Sequence, residues 1–569
     1  MEKRWVQASN CNDDTITTIA EQLNIDRSLA QILVQRNVCN YDQAKDFFRP
    51  DLDHLHNPFL MKDMDVAVER IEKALASHEK ILIYGDYDVD GTTSVALAYS
   101  FFHLLTENIE YYIPDRYLEG YGISTTGIDY ANENGFSLII ALDCGIKSID
   151  KIDYANTLGI DFIICDHHLP GNELPKAIAV LDPKRSDCDY PFKELAGCGI
   201  GFKLAQAYSQ KHHLPKDTYL QYLDLVMVSI AADIVPVVGE NRILSYHGLK
   251  KLNNNPCEGL RALMEVSGKK ETYTLTDVVF TLGPRINAAG RIDHAKHAVA
   301  MLLCEVDGNS AEQSESINLK NTERKTYDQD ITREALALIG ESEILINKKT
   351  TVVFNENWHK GVIGIVASRL TEKYYRPTIV LTKSNGLVAG SCRSVVGFDL
   401  YEALSGCADL LDQYGGHKFA AGLTMQQHNV EALADKFEEI VSATITEELL
   451  TPMIKIDSEI ELAQIDGKFH RVLAQMGPFG PENMAPVFVT HNVYLAQHAM
   501  VVGANHLKVN IKQQNSPIFE GIAFGLAEYE NLLQPKVPFS VCYTIEENVW
   551  RDKKRLQLNI KGIKIKEQG

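Results

Sequence analysis

Three aspartates within five residues, in the run ILIYGDYDVDGTTS, are the first group in this sequence with chemistry to offer: Asp86, Asp88 and Asp90 follow an apolar stretch and precede Gly91. Carboxylates packed at alternate positions repel one another unless a cation sits among them. The same three also suit an acidic turn capping a helix that begins near Thr92. Three further segments deliver acid from apolar surroundings. SLIIALDCGI delivers Asp143 at the end of its apolar run, a residue type common at helix N-caps, and DFIICDHHLP delivers Asp166, His167 and His168, the histidines a chance surface pair or a metal or phosphate site. In VMVSIAADIVP the only charge is Asp233, expensive there unless it is paired, bound to metal or capping a neighbouring helix. Five or six carboxylates and two imidazoles are the inventory of a two-metal site, in which ions about 3.5 to 4 Å apart share a carboxylate and flank a scissile phosphate. Mixed imidazole and carboxylate ligation suits Mn²⁺ better than Ca²⁺, with Mg²⁺ the usual competitor. Phosphoester hydrolysis follows as the reaction class.

These groups need a frame that brings distant segments together. Short β-rich apolar runs, KILIYGD, IEYYIPD, SLIIALD, DFIICDHH and AIAVLDP, alternate with stretches long enough for helices, which predicts an α/β fold with a parallel sheet covered on both faces. Several runs end in an acid, so the polar groups are expected at the carboxyl edge of one sheet, where open α/β sheets bind ligands. Upstream, helical spacing in SLAQILVQRNV and MDVAVERIEKAL predicts a helical N-terminal extension over residues 1–75, with the α/β domain at 76–308. The polar, proline-free stretch 309–341 predicts a long, largely solvated helix bridging two domains. A second, smaller α/β domain is expected at 342–449, from strands such as TVVFNE and PTIVLTK. Strand-and-turn character over 450–569 predicts a small β-barrel, with an oligonucleotide-binding (OB) barrel one candidate.

The net charge of −20 argues against a nucleic-acid partner only if carboxylates that hold cations are counted as free. HLKVNIK and RDKKRLQLNIKGIKIK are the most basic stretches of this acidic chain, and basic strands with interleaved aromatics suit single strands, as they also suit the outer face of an ordinary barrel. The 11 cysteines are scattered without a CxxC pair, which fits reduced thiols rather than a disulfide framework. No apolar signal core follows the N-terminus, and the most apolar stretch, 222–239, is broken by Asp224 and Asp233, so no export signal and no membrane span are expected.

DYDVDG, DCG, DHH and ADIVP occur in the order and context seen in the DHH phosphoesterases, and the sequence resembles that family. LGPRINAAGRID looks like the motif its RecJ-type branch adds, GGHKFAAGLTM resembles the signature of the DHH-associated domain, and with MGPFGPENMAPVF the similarity covers nearly the whole chain. The resemblance implies a metal-dependent 5′–3′ exonuclease acting on single-stranded DNA in repair and recombination, with two Mn²⁺ or Mg²⁺ ions. It makes Asp88, Asp90, Asp143, His167 and Asp233 the metal ligands, with Asp143 bridging, Asp86 and Asp166 supporting, and His168 facing the scissile phosphate. Tyr84 stands where many members place a histidine ligand.

For DNA, the resemblance adds Arg116, whose alternative is a surface salt bridge with Asp115 or Glu119. Ser391 and Arg393 of SCRS offer a hydroxyl and a guanidinium for a terminal phosphate. The guanidiniums of Arg285 and Arg291 of GPRINAAGR suit phosphates inside the cut site, or neutralise the acidic cluster, and Asn287 between them is expected among the DNA contacts. Gly415, Gly416 and His417 position a nucleotide or form a helix entry turn. The expected partners are single-stranded DNA, a single-strand-binding protein and a helicase, for a cytoplasmic monomer. Two alternatives are a family member that degrades short RNA or cyclic dinucleotides, and a non-catalytic DNA-binding scaffold of the same fold.

Overall fold

The computed structural model describes residues 3–8, 11–304, 310–550 and 553–565. The expected domain boundary at 308 and 309, and Arg551, Asp552 and Lys566 of the basic C-terminal run, lie outside the described residues. The chain forms two compact units, one chiefly from 5–290, 294–315 and 454–569, the other chiefly from 291–293 and 316–453. No described helix is long and apolar enough to cross a membrane.

In the first unit, five apolar runs become parallel strands: β1 (Lys80–Gly85), β2 (Ile109–Tyr112), β3 (Phe136–Leu142), β4 (Asp161–Cys165) and β5 (Ala179–Leu181), in the order β2-β1-β3-β4-β5. Leu82, Tyr84, Ile139, Ala141, Phe162 and Ile164 pack one face against Ile128, Ala131, Ile152 and Ala155 of two helices. Their alternates Ile81, Ile83, Ile140 and Ile163 are equally buried, so the sheet is covered on both sides. Register then does the positioning. Gly85 pairs with Leu142, Leu142 with Cys165 and Cys165 with Leu181, so the next residues, Asp86, Asp143, Asp166 and Asp182, emerge level at the carboxyl edge.

The C-terminal part of this unit is a closed barrel of five long strands, Phe488–Val502, His506–Lys512, Phe519–Ala523, Phe539–Trp550 and Lys553–Ile565, in which the first also pairs with Phe539–Trp550. Helices Asp13–Leu23, Arg27–Gln35 and Tyr41–Phe48 do not stand apart from it. Ile19, Leu29, Leu33 and Ala44 share one apolar core with Phe469, Phe488, Val493 and Tyr543. Arg242 stitches this body to the sheet domain by donating to the carbonyls of Phe47, Met476 and Gly477.

The second unit holds a five-stranded mixed sheet, with Thr351–Phe354 and Thr378–Ser384 parallel and the strands from Leu387 to Met425 antiparallel. The expected long helix spans Ser310–Gly340, and more than half of its residues from 311 onward are exposed, but one face of it is covered. Ile317, Asn321, Arg324, Asp328, Ile331, Ala335 and Ile339 recur every three or four residues as a buried stripe. Polar members disguise the stripe in the sequence: the Asp328 carboxylate accepts from Arg369 at 2.7 Å, while Ile331, Ala335 and Ile339 join a core with Trp358 and Val366.

Candidate functional site

The acidic cluster assembles on His167. Its Nε2 lies 3.2 Å from Asp143 Oδ1, 3.6 Å from Asp233 Oδ2 and 3.7 Å from Asp90 Oδ2. Ligand-type atoms of Asp90, His167 and Asp233, and likewise of Asp143, His167 and His168, fall within 4.8 Å of one another. The residues arrive by different routes. Asp143 and His167 follow strand ends, Asp88 caps helix Val89–His103 by accepting from the Gly91 N–H at 3.0 Å, and Asp90 sits in that helix's first turn. The capping turn and the carboxylate cluster are therefore one object. Asp233, by contrast, comes from the C-terminus of helix Leu223–Ala232 rather than from a strand. The next residue, Ile234, holds φ +60°, and Asp143 itself holds φ +58°. A β-branched residue in this region is strained by about 1–3 kcal/mol, and such strain concentrates at functional sites.

Electrostatics identify what the cluster is built to hold. Burial pushes the Asp143 carboxyl well above its ordinary range, and the charges of Asp90, Asp88, Asp233 and Asp86 push it further. Asp233 and Asp86 rise for the same reasons: burial first, then neighbouring carboxylates. Both ring nitrogens of His167 and Asp86 Oδ2 are buried without a hydrogen-bond partner among the described residues. Burial lowers the His167 imidazole, keeping it neutral and able to donate lone pairs. Converging carboxylates with orphaned nitrogen and oxygen atoms fit divalent cations, whose charge offsets the repulsion.

Asp166 has a different task. Its buried Oδ1 accepts from the His167 and His168 N–H groups and from His168 Nδ1 at 2.7 Å, and its Oδ2 accepts from the Ile146 N–H. Burial works against its charge, yet these bonds and the His168 charge hold its carboxyl at about 2. The reciprocal interaction outweighs burial at His168 and raises it to about 9. Tyr84 turns away from the cluster. Its buried hydroxyl donates to the Gly122 carbonyl at 3.1 Å and accepts from the Ser124 N–H, while the Gly122 N–H donates to Asp86.

The expected DNA contacts divide between the two units. Arg116 lies over the Tyr87 ring at 4.7 Å, and its charge acts on Asp86 and Asp88. The surface salt bridge is not formed: Asp115 accepts from the Tyr117 and Leu118 N–H groups, and Glu119 from Asp115 N–H, Tyr112 and Ser124. Arg285 and Asn287 lie on helix Gly283–Ile292, with Arg285 donating to the Thr281 carbonyl. Gly290 of that helix approaches the metal-site turn so closely that an added Cβ would stand 2.7 Å from the Tyr87 carbonyl oxygen.

In the other unit, Arg291 donates to the Gly361 carbonyl at 3.0 Å. Ser391 and Arg393 flank the first turn of helix Ile363–Tyr374, where a Cβ on Gly364 would meet Arg393 Nη2 at 3.1 Å and Ser391 Oγ at 3.4 Å. Gly415, Gly416 and His417 are not a helix entry turn but the exposed strand Gln413–His417, paired with Ala420–Met425. Gly416 there has φ +147° and room for no side chain, since a Cβ would stand 2.4 Å from the Ala420 carbonyl oxygen.

Sequence reasoning missed the residues that hold Asp90. Its carboxylate accepts from the Gly197 and Cys198 N–H groups and from Ser229 Oγ, each at 2.7 Å. The first two belong to the start of helix Gly197–Lys211, whose positive end favours a carboxylate. The signal was the glycine run AGCGIG. Asp182 was missed as well: it is buried with one orphaned oxygen, and burial raises it to about 7. A Cβ on Gly197 would stand 2.7 Å from Asp143 Cβ and 2.8 Å from its Oδ1. Gly197→Ala therefore displaces the carboxylate and lowers catalytic rate by about 10- to 100-fold, the range for groups that orient metal ligands. Circular dichroism and a turnover assay on the same sample check this: full activity in a folded variant contradicts it.

Family models agree with this architecture. The DHH family N-terminal domain matches residues 80–230, the DHHA1 domain 347–443 and the RecJ OB domain 456–562. The parallel sheet with its acidic, histidine-bearing edge thus defines a protein of the DHH class. The single-stranded-DNA-specific exonuclease RecJ of Bacillus subtilis is 36% identical over 569 residues, spanning 99% of this chain and 71% of that protein. The enzyme of the same name from Escherichia coli is 33% identical over 529 residues, 88% of this chain and 90% of its own length. The crystal structure of RecJ in complex with Mn²⁺ from Thermus thermophilus superposes with a TM-score of 0.85 at 26% identity, covering 99% of this chain and 80% of that one. The chain belongs to the RecJ family.

Proposed function

We propose that this protein is a divalent-metal-dependent exonuclease that degrades single-stranded DNA from its 5′ end to 5′-mononucleotides. The observation that carries the reading is the convergence of Asp90, Asp143 and Asp233 on the orphaned imidazole of His167. Asp88, Asp90, Asp143, His167 and Asp233 would hold two Mn²⁺ or Mg²⁺ ions, with Asp143 between them and Asp86 supporting. When bound, such ions neutralise phosphate charge and acidify the attacking water.

The chain's own groups do the rest. Asp166 holds the His168 ring by its Nδ1, so Nε2 is the nitrogen left to face the scissile phosphate. Gly197, Cys198 and Ser229 hold the Asp90 carboxylate in one orientation. Arg116, Arg285, Asn287 and Arg291 serve the DNA backbone, Gly415, Gly416 and His417 position a nucleotide, and the barrel takes the trailing strand. Ser391 and Arg393 beside a helix N-terminus bind the 5′ phosphate, since N–H groups, hydroxyl and guanidinium all favour that anion. Functional boundaries at 75, 308, 341 and 449, action as a cytoplasmic monomer in repair and recombination, and cooperation with a single-strand-binding protein and a helicase belong to the same proposal.

Arg393→Ala raises KM for 5′-phosphorylated strands by about 10-fold, a charge-assisted contact being worth about 1.5–3 kcal/mol, and changes KM for 5′-hydroxyl strands little. Equal effects on both substrates would remove Arg393 from end recognition. The reading as a whole is tested by product analysis on end-labelled single- and double-stranded DNA with Mn²⁺, Mg²⁺ or chelator. Mononucleotides released from the 5′ end of single strands only with metal are expected; dinucleotide cleavage without action on long strands would overturn it.

A further inference from the structure

The His168 imidazole has two nitrogens, and both are engaged. Nδ1 is held by the buried Asp166 carboxylate at 2.7 Å, and Nε2 lies 3.3 Å from the hydroxyl of Tyr121. The two rings meet edge to face at 6.2 Å. If His168 works through Nε2 on the scissile phosphate, the phosphate and the Tyr121 hydroxyl compete for one nitrogen.

The local backbone is built for that exchange. Tyr121 is 58% exposed and stands between Gly120 at φ +87° and Gly122 at φ +80°, conformations glycine adopts without cost, and a Cβ on either would meet nothing within 4 Å. The segments on both sides are pinned. Before it, Glu119 accepts from the Asp115 N–H, Tyr112 and Ser124. After it, the Gly122 carbonyl accepts from Tyr84 and its N–H donates to Asp86. With the backbone held on both sides and no Cβ on either neighbour, rotation of the Tyr121 side chain about its own bonds moves that ring alone and leaves the Gly122–Asp86 bond in place. Tyr121 also meets Tyr87 edge to face at 6.1 Å, and the Tyr87 ring lies beneath Arg116.

We propose that Tyr121 is a positioning residue for His168 that the substrate displaces: its hydroxyl holds Nε2 in the free protein and yields that nitrogen to a DNA phosphate by rotation of the Tyr121 side chain between Gly120 and Gly122. The inference rests on the nuclease reading above and assigns Tyr84 the task of pinning the loop on which Tyr121 turns. Removing the hydroxyl removes the competitor, so Tyr121→Phe lowers KM for a single-stranded oligonucleotide about threefold, the size one exposed hydrogen bond carries. A residue with a merely structural role would raise KM or leave it unmoved.

The test pairs this KM measurement with fluorotyrosine placed at position 121 of the full chain and followed by ¹⁹F NMR. An oligonucleotide with non-hydrolysable linkages is expected to shift the resonance, and His168→Ala is expected to place it at the shifted position before any DNA is added. An unshifted resonance with bound DNA, or an unchanged or raised KM for Tyr121→Phe, overturns the proposal. Absence of nucleotide release by the unmodified protein would instead sink the nuclease reading. The resonance, followed with inorganic phosphate as the displacing anion, still decides whether Tyr121 leaves His168.

Discussion

Asp143→Ala and His167→Ala are each expected to lower nucleotide release from single-stranded DNA on the order of a thousandfold or more, because each removes a group on which the others converge. The fold should survive both changes. Asp143 is buried among carboxylates that resist its ionisation, so its removal from the metal-free protein relieves repulsion rather than breaking a favourable pair. The thermal midpoint of metal-free Asp143→Ala should therefore equal or exceed that of the parent, while oligonucleotide affinity, spread over many phosphate contacts, changes by no more than about threefold. Nucleotide release at the parent rate by either folded variant would contradict the assignment of the centre.

Metal removal is the second large effect. Chelation should abolish release, and added Mn²⁺ should restore it. The stability change should be as clear as the activity change, since a ligand that binds only the folded state at a hundredfold excess over its Kd stabilises by about 2.7 kcal/mol per site. For a domain of this size that corresponds to roughly 5–10 °C in the midpoint of the transition that exposes the parallel sheet. The buried orphaned atoms of His167 and Asp86 are the reason to expect it: they have no hydrogen-bond partner among the described residues. Calorimetry with and without Mn²⁺ checks the shift, and identical midpoints would mean that no cation occupies this cluster. Asp143→Ala should lose most of the shift, which ties the calorimetric effect to the same carboxylates.

The parallel sheet and its edge were legible because the strands are local apolar runs and four of the five are followed directly by an acid, as in Leu142 before Asp143 and Cys165 before Asp166. Asp233 was legible as an unusual acid but not as a helix terminus, since a short apolar run has no period that separates strand from helix. What surrounds Asp90 was hidden by distance: its donors lie 107, 108 and 139 residues away, and two are backbone N–H groups that no side-chain pattern announces. The stripe on helix Ser310–Gly340 was hidden by composition, because Asn321, Arg324 and Asp328 occupy buried positions that a hydrophobicity pattern scores as solvent. The hairpin bearing Gly415 to His417 was hidden by glycine itself, which suits a strand partner, a turn and a helix start alike.

The core shared by residues near the two ends of the chain has a consequence for synthesis. Ile19, Leu29 and Leu33 leave the ribosome hundreds of residues before Phe488, Val493 and Tyr543, the side chains that cover them. At about 5–20 residues per second the early helices wait tens of seconds or more with their apolar faces unshielded. Nascent chains stalled before the barrel should thus be the form of this protein most open to proteases and most in need of chaperones, and shortening either terminus should loosen the other.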